Sequence, residues 1–119
     1  MTDYKLGMVE SQFADIVWDH EPLSTGELVK LCGEELNWKR TTTYTVLKKL
    51  CEKGFFQMEN STVTACISKE DYKAEQSEKF VEDTFEGSLP AFLTSFVRRK
   101  KMSEKEMDEL QKVIEDMRR

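Results

Sequence analysis

Apolar residues first recur in this chain at Val9, Phe13, Ile16 and Val17, the three-and-four spacing of one helix face, and Trp18 extends the stripe. Gly7 followed by Glu10 is an N-terminal cap pattern, and His20-Glu21-Pro22 is a stop. Leu23 then leads into Ser24-Thr-Gly-Glu27, a capping box. Behind it Leu28, Leu31, Cys32 and Leu36 form one apolar face and predict a second helix to about Glu35. After a break at Asn37-Trp38, a third helix is predicted from about Arg40 to Lys53. Its inward residues are Val46, Leu47 and Leu50, and Gly54 is its stop. Phe55, Phe56 and Met58 read as a strand, Glu59-Asn60-Ser61 as a turn, and Thr62 to Ile67 as a second strand with Val63, Ala65 and Ile67 on one side. Three helices followed by a hairpin describe a winged helix-turn-helix.

The pattern changes after Ser68-Lys-Glu-Asp71, another cap signature. A helix from about Lys69 to Phe85 carries Tyr72, Gln76, Phe80 and Thr84 on one stripe. A second, from Ser88 to about Arg99, carries Leu89, Phe92, Leu93, Phe96 and Val97. A third, capped by Ser103-Glu-Lys-Glu106, carries Met107, Leu110, Val113, Ile114 and Met117. Such narrow stripes make little core within one chain, so pairing with a second copy is expected to bury them. The predicted fold class is mainly α with a small β-hairpin. Residues 1–67 are the predicted winged-helix domain and residues 68–119 the predicted helical dimerisation domain.

Composition sharpens this picture. The chain has 119 residues, 39% hydrophobic and 34% charged, enough for one ordinary domain or a compact module with an appendage. Its net charge is −5, yet Trp38 to Gly54 holds Lys39, Arg40, Lys48, Lys49 and Lys53 against Glu52 alone. An acidic chain does not coat nucleic acid indiscriminately, but phosphate contacts depend on a local patch rather than on net charge. On the third helix Thr41, Thr42, Tyr44, Thr45 and Lys48 turn away from the apolar side. Hydroxyls at such positions bond base edges or phosphates, while Lys39, Arg40 and Lys49 suit phosphate clamps. Taken alone, the same face reads equally as a solvated helix surface.

Cys32, Cys51 and Cys66 are odd in number and widely spaced, with one histidine in the chain, which argues against a disulfide framework or a metal site. No cofactor is expected. No phosphate loop or nucleophile–base pattern points to an enzyme. No apolar run of about 18 residues and no signal-peptide apolar region occur, so a cytoplasmic protein without membrane insertion is expected.

In order and spacing the chain resembles the penicillinase-repressor family of bacterial regulators, of BlaI/MecI type with the copper-responsive CopY branch. The resemblance rests on Glu10 through Trp18, Leu23-Ser-Thr-Gly-Glu-Leu28, Trp38, Thr42, Thr45, Leu50 and Lys53-Gly54-Phe55. It continues through Gly87-Ser-Leu89, Phe92-Leu-Thr-Ser-Phe-Val97 and Met102-Ser-Glu-Lys-Glu106. It implies a homodimeric repressor on palindromic operator DNA. It also implies a membrane sensor protease as partner, cleaving within the dimerisation helices between an Asn and a Phe. The corresponding bond here is Ser95–Phe96, without the Asn. Copper sensing through a C-terminal Cys-x-Cys is not expected, because no cysteine follows Cys66. The wing departs from the family by having no Lys or Arg between Met58 and Ile67, and Tyr44 stands at a frequently basic position. Two rival readings remain at this level: a winged-helix module that binds protein, and the same repressor with a thiol switch at Cys66.

Overall fold

The computed structural model describes residues 4–119. Helix α1 spans Met8–His20, α2 Thr25–Leu36 and α3 Arg40–Glu52; strands β1, β2 and β3 span Leu23–Ser24, Phe56–Glu59 and Thr62–Ala65; α4 spans Lys69–Phe85, α5 Leu89–Arg99 and α6 Glu104–Met117. The chain divides into two compact units, residues up to 76 and residues 77–119.

In the first unit α1 and α2 start where the sequence offers a cap. Glu10 reaches back to the Gly7 amide at 3.0 Å. At α2, Ser24 Oγ accepts from the Glu27 amide at 3.1 Å, and Glu27 accepts from the Ser24 amide at 3.3 Å. Replacing Ser24 by Ala is expected to cost about 1 kcal/mol of unfolding free energy, read from urea denaturation. Helix α2 ends on Asn37 in the left-handed conformation (φ 58°). Helix α3 ends in a Schellman turn: the Gly54 amide donates to Cys51 O (3.1 Å), the Phe55 amide donates to Leu50 O (2.9 Å), and Gly54 takes φ 89°.

The core gathers Phe13, Ile16 and Val17 of α1, Leu28 and Cys32 of α2, Leu47 and Leu50 of α3, and Leu23, Phe55, Phe56 and Val63 around the strands. Trp38 stacks on Phe13 with ring centroids 5.8 Å apart and thereby pins the α2–α3 turn. Two features were not legible beforehand. Leu23–Ser24 forms a third strand, pairing Leu23 with Val63 and Ser24 with Thr62, so the sheet order is β1-β3-β2 and not a lone hairpin. Two residues are too few to show a period of two. Val46 is only partly buried, whereas Thr43 is 1% exposed and takes the core position, its hydroxyl donating to Lys39 O at 3.2 Å.

The boundary between the units falls after Gln76, later than the expected one after Ile67. Tyr72 explains the shift. Its hydroxyl accepts from the Leu6 amide at 2.8 Å, and its ring packs on Phe55 and Trp18 at 5.3 and 5.9 Å. Tyr72, expected on the dimerisation stripe, therefore contributes to the first unit's packing.

The second unit buries no residue at all. Phe80, Phe85, Phe92 and Phe96 meet edge-on or tilted at 5.7–6.0 Å. Leu89, Phe96, Val97, Val113, Ile114 and Met117 remain exposed. An open groove of about 380 Å³ runs between α5 and α6, floored by Leu93, Val97, Met107, Leu110 and Ile114.

Candidate nucleic-acid interface

Helix α3 has one face in the core and the other in solvent. Thr43, Leu47 and Leu50 are buried; Arg40, Thr41, Thr42, Thr45, Lys48 and Lys49 are exposed; Tyr44 is half-buried. Thr41, Thr45 and Lys48 recur at helical spacing and so form one outward stripe. The Thr45 hydroxyl donates to Thr41 O at 2.9 Å. Its hydrogen is thus committed inside the helix, and what it offers outward is an acceptor oxygen and a methyl group. Those two groups match a base amino hydrogen and a thymine methyl.

The amino end of α3 differs from the other capped helices. Its N-cap is Lys39, with no side-chain cap and no acidic residue in the first turn, whereas α1, α2 and α6 each carry acid there. The first-turn amides, the helix dipole and the exposed cations Lys39 and Arg40 all add positive potential at that end. Arg40 lies over the Tyr44 ring, 5.3 Å from its centroid, which holds the guanidinium beside the helix.

Lys49 is not placed as the open clamp expected from sequence. Its ammonium pairs with Glu10 Oε2 of α1 at 3.0 Å and sits 5.4 Å from the Tyr4 ring centroid, with Lys53 5.1 Å from the same ring. Tyr4 is hydrogen-bonded to Glu10, its hydroxyl 2.8 and 2.9 Å from the two carboxylate oxygens. Burial pushes the Glu10 carboxyl up, but the Gly7 amide, the Tyr4 hydroxyl and Lys49 outweigh it and hold it below the usual range. Tyr4 and then Glu10 push the Lys49 ammonium up. A depressed Glu10 contributes stability above the ordinary Glu range and loses it as pH falls through its lowered folded-state pKa.

Glu52 was missed. It is exposed and lies four residues beyond Lys48, at the carboxyl end of the outward stripe. Its spacing from Thr45 and Lys48 was the available signal. A carboxylate there repels phosphate and can accept from a cytosine amino group.

The wing is short and uncharged apart from Glu59. Asn60 (φ 52°) and Ser61 (φ 60°) form its tip, with both central residues in the left-handed region, as a two-residue hairpin with native twist requires. Gln57 Nε2 donates to Thr64 Oγ1 at 3.2 Å across the strands. Among the described residues no group of three or more His, Cys, Asp or Glu is disposed to hold a metal ion, and no helix is long and apolar enough to cross a membrane. Ser95 and Phe96 are exposed, but their peptide bond lies inside α5 rather than in an extended segment.

A helix-turn-helix whose second helix projects a hydroxyl-and-cation face, followed by a three-stranded wing, defines a winged-helix transcriptional regulator rather than an enzyme. The family model for the penicillinase repressor matches residues 6–116, and the chain belongs to that family. It is 21% identical over 115 residues to the methicillin resistance regulatory protein MecI of Staphylococcus aureus, covering 93% of this chain and 94% of that protein. It is 24% identical over 111 residues to the penicillinase repressor of Bacillus licheniformis, covering 90% and 87% of the two chains. The chain is similar in fold to the solution structure of monomeric B. licheniformis BlaI in complex with the blaP half-operator. That match has a TM-score of 0.50 and 25% identity, covering 58% of this chain and 89% of the other.

Proposed function

We propose that this chain is a dimeric repressor that occupies a palindromic operator, each protomer laying α3 in a major groove. Residues 1–67 supply the DNA-binding domain and residues 68–119 the dimerisation domain, of which the stretch to Gln76 packs with the first unit. The observation that carries the reading is the face of α3, where Thr41, Thr42, Thr45 and Lys48 are exposed opposite a buried Thr43, Leu47 and Leu50, below an uncapped cationic start. The structure of the related BlaI in complex with the blaP half-operator supports operator DNA as the partner. Lys39 and Arg40 contact phosphate at the groove edge, Thr41, Thr42 and Thr45 face the bases, Tyr44 steadies Arg40, and Lys48 reaches the backbone further along. Lys49 contributes less, because it must first leave Glu10. Two bound recognition helices block polymerase sterically. The test is fluorescence-anisotropy titration of a fragment from the promoter region upstream of the chain's own gene. No binding at low salt overturns the reading.

Glu10→Gln bears on the same reading. Losing the carboxylate removes the ion pair that holds Lys49, and affinity is expected to rise up to about fivefold with a steeper salt dependence, roughly the worth of one added phosphate contact. The same variant is expected to lose part of the wild type's acid-induced drop in melting temperature, because the group whose lowered pKa produces it is gone.

A further inference from the structure

Two of the three cysteines are brought together by the fold. Cys51 lies in the last turn of α3, partly buried against the core, and Cys66 follows β3 at the root of the wing, exposed. Fourteen residues separate them in sequence, but two short hydrogen-bond steps join them in space. The Schellman turn folds Phe55 back onto α3 through its bond to Leu50 O, while Gly54 bonds Cys51 O itself. The Cys66 amide then donates to Phe55 O at 2.8 Å, extending by one step the register that pairs Phe56 with Ala65. Burial first, and then the neighbouring Cys66, pushes the Cys51 thiol up. Cys32 is fully buried in the core on α2.

We propose that Cys51 and Cys66 are a peroxide-oxidisable dithiol that closes to a disulfide between the end of α3 and the root of the wing. The roles follow from exposure. The exposed Cys66 thiolate attacks one oxygen of hydrogen peroxide; the O–O bond breaks, an S–O bond forms, and hydroxide leaves to be protonated as water. The Cys51 sulfur then attacks the Cys66 sulfur; the S–S bond forms, the S–O bond breaks, and the oxygen departs as water with the Cys51 proton. Two electrons pass from the sulfurs to peroxide, and two thiols and one peroxide give one disulfide and two waters. The partly buried Cys51 is the resolving thiol, shielded from direct attack by its protonation and burial.

The bond has a consequence for α3. By helical spacing Cys51 lies on the same edge of α3 as Arg40, Tyr44 and Lys48. A disulfide restricts sulfur geometry narrowly, so closure draws that edge toward the wing root and fixes the angle between them. This consequence rests on the operator-binding reading; the bond itself does not.

The experiment treats the full-length protein with hydrogen peroxide, blocks the remaining thiols under denaturing conditions, and maps peptides without reductant. The expected result is one blockable thiol per chain, at Cys32, and a Cys51–Cys66 linked peptide that dithiothreitol removes. In Cys51→Ser, Cys66 is expected to proceed to sulfinic acid or a bond between chains instead. Absence of the linked peptide in the wild type, or equal protection of Cys66 from overoxidation in Cys51→Ser, overturns the proposal. In parallel, a promoter fragment is titrated before and after oxidation, with a several-fold loss of affinity expected and recovery with dithiothreitol. If the reduced protein does not bind the fragment, the repressor reading fails while the peptide map still decides the thiol pair.

Discussion

Replacing Lys39, Arg40 and Lys48 together by Ala is expected to lower affinity for a promoter fragment by roughly a hundredfold per protomer at about 0.15 M salt. The estimate follows from counterion release. Each phosphate contact contributes about 0.9 to the slope of log affinity against log salt, so each is worth roughly fivefold at that concentration. Three contacts therefore remove about 3 units of slope per protomer along with the affinity. All three residues are exposed, so thermal stability is expected to stay within about 0.5 kcal/mol of wild type. The loss should appear on any sequence, because phosphate contacts position the protein without reading bases. Substituting Thr45 instead should alter discrimination between fragments more than affinity for all of them. The wing sharpens the demand on these cations, since it supplies no Lys or Arg between Met58 and Ile67. Anisotropy titrations at several salt concentrations measure both quantities. An unchanged slope in the triple variant would count against α3 as the phosphate-contacting element and in favour of a protein-binding role for the winged helix.

Introducing Asp at both Val113 and Ile114 is expected to convert the proposed dimer to monomer. These side chains are 54% and 44% exposed within one chain, so about half of each is open to a second copy. Pairing with a second copy is the burial that their apolar surface calls for, and a desolvated carboxylate at each position opposes it strongly. The monomer should keep its affinity for a half-site fragment. On the full palindrome it should lose the avidity of linked sites, on the order of 10²–10⁴. Sedimentation equilibrium with matched half-site and full-site titrations separates the two effects. A wild type that is monomeric at micromolar concentration, or a double variant that remains dimeric, would remove α6 from the interface.

The legibility of this chain followed the physics of each element. The caps at Ser24 and Ser103, the stop at Gly54 and the core stripes of α1 and α2 rest on short-range backbone chemistry and helical period, so one window of sequence contained them. The outward stripe of α3 was readable for the same reason. Thr43 was not, because a threonine on a helix face reads as polar until the core closes over it and its hydroxyl finds the carbonyl four residues back. The packing of Tyr72 was not legible either, because its position fits the stripe of α4 while its partners Leu6, Trp18 and Phe55 come from distant stretches.

By itself, then, the sequence determined the order of helices and wing, the cationic island in an acidic chain, and the unpartnered apolar stripes after residue 77. All of these depend on neighbours within about a dozen residues. Tertiary structure alone decided that Lys49 of α3 is already held by Glu10. It also decided that Leu23–Ser24 joins the wing and that the Cys66 amide bonds Phe55 O just beyond the Cys51 end of α3. Those pairings are between residues far apart along the chain, and only the closing of a common core sets the distance between them.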